Sequence, residues 1–107
     1  MAGNLSANAA LPSWELDALE SIYDATDGLH WEWKAVEEAG NVWNFTSDAD
    51  PCTDNWQGIV CSASQFDQYL HVVELSLANY SMHGTLPSAI GNLTFLEVMS
   101  LPDNELS

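Results

Sequence analysis

Two cysteines, Cys52 and Cys61, and three histidines, His30, His71 and His83, are the residues best suited to redox, nucleophilic or metal chemistry. A cysteine pair this close in sequence can close a short-loop disulfide, share a metal ion or consist of two unrelated thiols. Zinc needs two further ligands, and the histidines stand at no finger-like spacing. A disulfide therefore leads, with a redox switch as the functional alternative, and it implies an oxidising compartment. Asp48, Asp50 and Asp54 invite a calcium reading. A loop-type calcium motif needs Gly at its sixth place and Glu at its twelfth, and counting from Asp48 those places hold Thr53 and Ile59. A solvated acidic loop with Asx-turns is the simpler expectation. The other carboxylates select no pair of the kind glycoside hydrolysis requires, and no Ser-His-Asp set stands out. The expectation is a chain with no catalysis, no cofactor and no metal of its own.

Charge narrows the field further. Sixteen Asp and Glu face one basic residue, Lys34, for a formal charge of −15 over 107 residues. Nucleic-acid binding needs clustered Lys and Arg on phosphates, so it is excluded as a function class. Adhesion to an anionic membrane and phosphoryl transfer through Arg or Lys clamps fall for the same reason. With 47% apolar residues and five Trp, the sequence reads as a folded domain rather than an acidic disordered tail. It contains no apolar run long enough to span a bilayer. Four Asn-x-Ser/Thr sequons, at Asn4, Asn44, Asn79 and Asn92, exceed the roughly one expected by chance. They favour the secretory route and an extracellular or cell-surface location. Residues 1–12 nonetheless show neither the basic n-region nor the apolar h-region of a leader.

The elements that would position these residues follow from periodicity. Residues 1–10 form a polar stretch without pattern, read as a frayed tail. Ser13 is the expected N-cap of a helix, and Glu15 and Asp17 suit the positive end of its dipole. Leu16, Leu19, Ile22 and Tyr23 make one apolar stripe, and Gly28 is the expected C′ residue. A second short helix over residues 34–39 ends at Gly40. A loop with Trp43 and Phe45 as anchors follows, then a strand over residues 56–61. Trp14, Trp31, Trp33, Trp43 and Trp56 could form a sugar-stacking platform. Core packing is the stronger reading, with Trp14 and Trp33 the most plausible exceptions. His71 reads as an edge residue preceding the next strand.

From Tyr69 onward the sequence repeats. Val72, Leu75, Leu77 and Met82 match Leu96, Met99, Leu101 and Leu106, each 24 residues on. A period of 20–29 residues with an L-x-x-L-x-L-x-x-N core is the signature of stacked solenoid turns. Strand alternation turns Leu75 and Leu77 inward and Glu74, Ser76 and Ala78 outward. In the second turn Val98, Ser100 and Pro102 are the outward counterparts. Asn104 takes the Asn place, where its amide would bond backbone groups of adjacent turns; Tyr80 stands there in the first turn. Leu86, Ile90 and Leu93 are expected on the convex side.

The segment Gly84-Thr-Leu-Pro-Ser-Ala-Ile-Gly-Asn-Leu-Thr resembles the L-x-G-x-[IL]-P-x-x-[IL]-G-x-L motif of plant-type extracellular leucine-rich repeat proteins. These include receptor-like kinase ectodomains and secreted inhibitors. Pro51-Cys-Thr-Asp-Asn-Trp-Gln-Gly-Ile-Val-Cys61 resembles the C…W-x-G-[VI]-x-C of their amino-terminal cap. The resemblance implies an α/β fold: the start of a leucine-rich-repeat solenoid with a helical, disulfide-stapled cap and short parallel strands. It divides the chain into a tail (1–12), a cap (13–70), and a first full repeat with a partial second (71–107). Repeats of this kind bury their apolar faces only against neighbours, so the remaining repeats of a longer solenoid are expected partners. The implied function is non-catalytic recognition of a protein, peptide or glycan ligand, with Glu74, Ser76, Ala78, Val98 and Ser100 as candidate ligand-facing residues. The alternatives are an ectodomain fragment of a receptor-like Ser/Thr kinase and a secreted structural or enzyme-inhibitor protein.

Overall fold

The computed structural model describes residues 10–46 and 49–106. Asn4 and Asp48, both singled out above, lie outside the described residues.

Helix α1 spans Ser13–Ala25 and buries Ala18, Leu19 and Ile22. Asp17, Glu20 and Asp24 face solvent, as the stripe predicts. Two details of its ends are corrected. Pro12 is the N-cap and makes no side-chain bond, so Ser13 is the first helical residue. The left-handed residue after the helix is Asp27, with φ 65°, not Gly28. Gly28 instead opens a 3-10 turn, Gly28–His30, and a Cβ there would lie 2.2 Å from the Tyr23 ring. Its bareness serves close approach rather than φ. Leu11 packs on the core, Pro12 is buried, and the Ala10 carbonyl accepts from the Leu70 N–H at 3.1 Å, so these three residues, read as tail, are held in place.

A one-turn helix α2, Val36–Ala39, ends at Gly40, whose φ is 105°. Strand β1 is Ile59–Ala63, later in the chain than expected. Its late start has a tertiary reason: Gly58 has φ +79°, and a Cβ there would meet the Ser76 carbonyl oxygen at 2.5 Å. The chain must therefore turn at Gly58 before it can enter a strand. Strand β2 is Leu70–Ser76, so His71 lies within the strand rather than before it. After β3 (His83–Gly84) comes a second 3-10 turn, Ser88–Asn92, then β4 (Val98–Ser100) and β5 (Glu105–Leu106).

The main sheet has the order β1-β2-β4. β1 is antiparallel to β2, and β2 is parallel to β4. The repeat-to-repeat pairing is thus the parallel one, and the cap contributes the antiparallel edge. The repeat period is visible in the register: Glu74 pairs with Val98, Leu75 with Met99 and Ser76 with Ser100. The period contracts in the second, two-stranded sheet, where His83 pairs with Glu105 and Gly84 with Leu106. Met82 and Leu106 are therefore not structural equivalents. The first turn is longer there because it makes two left-handed steps, at Asn79 and Ser81, where the second turn makes one, at Asp103.

The core runs from α1 through the aromatic residues to the inner face of the sheet. Leu75, Leu77 and Met82 are fully buried, and Leu93 is buried with Leu86 and Ile90 packed beside it. Met99, aligned with Leu75, is 46% exposed because its strand is the outer one of the sheet.

Candidate functional site

The cap is organised around indoles. Trp31, Trp43 and Trp56 are buried, Trp33 is half-buried, and Trp14 is 46% exposed against the edge of Tyr69. Trp56 stacks on Trp43 at 5.5 Å between centroids, Trp43 meets Trp31 edge-on at 5.0 Å, and Trp31 meets Tyr80. Trp31, Trp43 and Trp56 are core with Trp33 packed against them, Trp14 being the exception, and they carry packing from the cap to the first turn of the repeat. Two of the buried N–H groups bond backbone carbonyls: Trp31 Nε1 donates to Thr26 and Trp43 Nε1 to Gln57.

Gln57 was not legible as a key residue, yet it is fully buried and all four bonding positions of its amide are used. Oε1 accepts from the Lys34 N–H at 3.0 Å and from the Tyr80 hydroxyl at 2.7 Å. Nε2 donates to the carbonyls of Lys34 and Gly40 at 2.8 and 2.9 Å. Lys34, the single basic residue, donates through Nζ to the Asn79 carbonyl and lies 4.5 Å from the Tyr80 ring centroid. Tyr80, where the repeat pattern expects Asn, is thereby fixed between cap and repeat, and burial pushes its phenol pKa up.

Asn104 does in the second turn what its place predicts. Its Oδ1 accepts from the N–H groups of Tyr80 and Met82 at 2.9 and 3.1 Å. Its Nδ2 donates to the Leu77 carbonyl at 2.7 Å. One amide thus closes three backbone groups of the preceding turn.

Cys52 and Cys61 form a disulfide that ties the loop around Trp56 to β1. Asp50 makes the expected Asx-turn, its Oδ1 accepting from Cys52 and Thr53 N–H. Reducing the bridge should lower stability by about 2–3 kcal/mol on the loop-entropy account. Urea melts with and without reductant measure the loss. Intact mass of protein secreted from a eukaryotic host, before and after reduction, checks the bridge itself; two free thiols would contradict it.

The candidate ligand-facing residues fall on neighbouring strands. Glu74 and Ser76 are half-buried on β2, and Val98 and Ser100 are exposed beside them on β4. The Ser76 hydroxyl donates to Glu74 Oε2 at 2.8 Å. Ala78 is exposed but lies past the end of β2. Val60, which the sequence did not single out, pairs with Glu74 from the other side and is 49% exposed. The row Val60-Glu74-Val98 is therefore a carboxylate flanked by two exposed valines. Asn44, Asn79 and Asn92 are exposed. Among the described residues no group of His, Cys, Asp or Glu is disposed to hold a metal ion, and no helix is long and apolar enough to cross a membrane.

This architecture, a helical disulfide-stapled cap followed by stacked parallel turns with an Asn amide between them, is that of a leucine-rich-repeat protein. The comparisons agree. Over 92 residues the chain is 38% identical to a probable LRR receptor-like serine/threonine-protein kinase of Arabidopsis thaliana, covering 84% of this chain and 10% of that protein. It is 35% identical over 92 residues to a probable leucine-rich repeat receptor-like protein kinase of the same plant, covering 81% of this chain and 9% of that protein. The LRR ectodomain of the Arabidopsis thaliana receptor kinase SOBIR1 superposes with a TM-score of 0.62 at 24% identity, over 92% of this chain and 45% of that one. No family model matches. The chain belongs to the plant-type leucine-rich-repeat proteins, and it spans about a tenth of the length of those two curated relatives.

Proposed function

We propose that the chain is the non-catalytic, amino-terminal part of an extracellular recognition solenoid, with residues 13–70 as its cap and 71–107 as its first full and partial second turns. The observation that carries this reading is the register of β2 on β4, which sets Glu74 beside Val98 and Ser76 beside Ser100 on one outward face. Rigid strands present such side chains with little ordering entropy to lose on binding. The disulfide and the exposed sequons support an oxidising, secretory location. Lys34 is committed to Asn79 and Tyr80, so the face holds no free cation to attract anionic groups. The ligand is accordingly a neutral or basic protein or peptide segment, or an uncharged glycan. A second reading, the ectodomain of a receptor-like kinase whose catalytic domain lies elsewhere, is favoured by the two Arabidopsis relatives.

Probing glycan and peptide arrays with the secreted chain tests the proposal. Ligands retained by wild type should be lost, by tenfold or more in signal (about 1.4 kcal/mol), in Ser76→Arg/Ser100→Arg at unchanged melting temperature. No retained ligand, or retention indifferent to this double substitution, would contradict the assignment of this face.

A further inference from the structure

His71 is 1% exposed, and it sits between two carboxylates. Its Nδ1 faces Glu15 Oε2 on α1, and its Nε2 lies 2.9 Å from Asp67 Oδ2 in the loop before β2. Glu15 is fully buried and also accepts from the Val72 N–H at 2.9 Å. Phe95, from the segment leading into β4, lies flat on the imidazole, with centroids 3.7 Å apart and planes 15° apart. A neutral imidazole can donate through only one nitrogen, so two carboxylates are both satisfied only by the imidazolium. The cluster adjoins an open cleft of about 350 Å³ whose lining includes Ser64, Phe66, Phe95 and Glu97. One wall of that cleft is the loop that Asp67 anchors, and the other is the phenyl ring resting on His71.

We propose that Glu15, His71 and Asp67 form a proton-operated latch. With the proton in place, the imidazolium fixes both walls of this cleft; when the proton leaves to water, the loop of residues 64–68 is released. The direction of release follows from burial. Glu15 is wholly enclosed, so the remaining N–H stays with it. Asp67, whose side chain is 33% exposed, can turn to water and is the partner that lets go. Among the described residues, those set against His71 are Glu15 from α1, Asp67 and the Tyr69 ring from the loop, the uncharged Ser62 paired with it on β1, and Phe95 from the segment before β4.

The electrostatics agree in sign. Burial alone would push the imidazole pKa down, but the hydrogen bonds and charges of Glu15 and Asp67 outweigh it and hold it above its ordinary value. A raised pKa makes the latch fully effective below about pH 6.5, the unfolded-state value, and weakens it as pH rises through the folded value. Asp67 is held below the usual carboxylate range, first by the Tyr69 N–H and then by His71, so it remains ionised as the latch titrates.

Amide hydrogen exchange of residues 64–69 between pH 5.5 and 8, corrected for intrinsic rates, is the test. Wild-type protection should fall with rising pH, by up to about tenfold per pH unit, the linkage limit for one proton. In Asp67→Asn, which keeps the buried His71–Glu15 pair, the loop should be open at both pH values and the response lost. The relief of general charge repulsion at low pH is common to both proteins and cancels in the comparison. Wild-type protection that is flat across this range, or an equal response in Asp67→Asn, would overturn the latch.

Discussion

Replacing Gln57 by Leu should destabilise the protein by about 3–5 kcal/mol, although the substitution adds apolar surface to an apolar neighbourhood. The amide gives two donors and two acceptors, and all are used within 3.0 Å. Leu would leave the Lys34 N–H, the Lys34 and Gly40 carbonyls and the Tyr80 hydroxyl without this partner. Each buried group so abandoned costs about 1–3 kcal/mol, and water reaching the half-buried Lys34 recovers only part of the sum. Gln57→Glu is the informative companion. It is isosteric and retains the acceptor oxygen, but it sets a carboxylate oxygen against the Lys34 and Gly40 carbonyls and should also destabilise. Denaturant midpoints at constant m-value give both numbers. A Gln57→Leu protein as stable as wild type would show that Gln57 does not join the cap to the first turn.

Asn104→Ala should cost about 2–4 kcal/mol and should loosen the contact between turns selectively. The substitution removes the acceptor for the Tyr80 and Met82 N–H groups and the donor to the Leu77 carbonyl. Asn104 is only half-buried, so solvent compensates more here than at Gln57, which sets the lower range. Amides of Tyr80 and Met82 should lose exchange protection, while those of α1 keep theirs. Equal loss in both regions would mean that the turn and the cap unfold as one unit.

These two residues mark the boundary of what the sequence discloses. Asn104 was legible because its meaning is set by a local period: two apolar rungs and a turn precede it in both copies. α1 was legible because Leu16, Leu19 and Ile22 repeat at helical spacing. Gln57 was not legible. Its partners are Lys34, Gly40 and Tyr80, up to 23 residues away, and no spacing rule connects them. Glu15 shows the same limit more sharply. Read locally it is an acidic residue at a helix start, but its partner His71 is 56 residues away, and burial by the folded sheet converts it into an internal ion pair. The late start of β1 is a tertiary effect as well, imposed by the close passage of Gly58 over Ser76. The pairing of Glu74 with Val98 and of Ser76 with Ser100 follows the 24-residue offset of the repeat, whereas Ala78 lies past the end of β2. Val60 was missed because its neighbour Glu74 comes from an antiparallel pairing that the repeat does not encode.

Stacking of the turns is expressed most directly in the parallel pairing of β2 with β4. Interstrand NOEs and through-hydrogen-bond couplings in isotope-labelled protein measure it. The expected result is contact of Glu74, Leu75 and Ser76 with Val98, Met99 and Ser100 in that order, together with a coupling from the Leu77 N–H to the Ser100 carbonyl, whose N···O distance is 3.0 Å. Absence of that coupling, with Leu75 and Met99 in separate surroundings, would contradict the leucine-rich-repeat assignment and everything built on it.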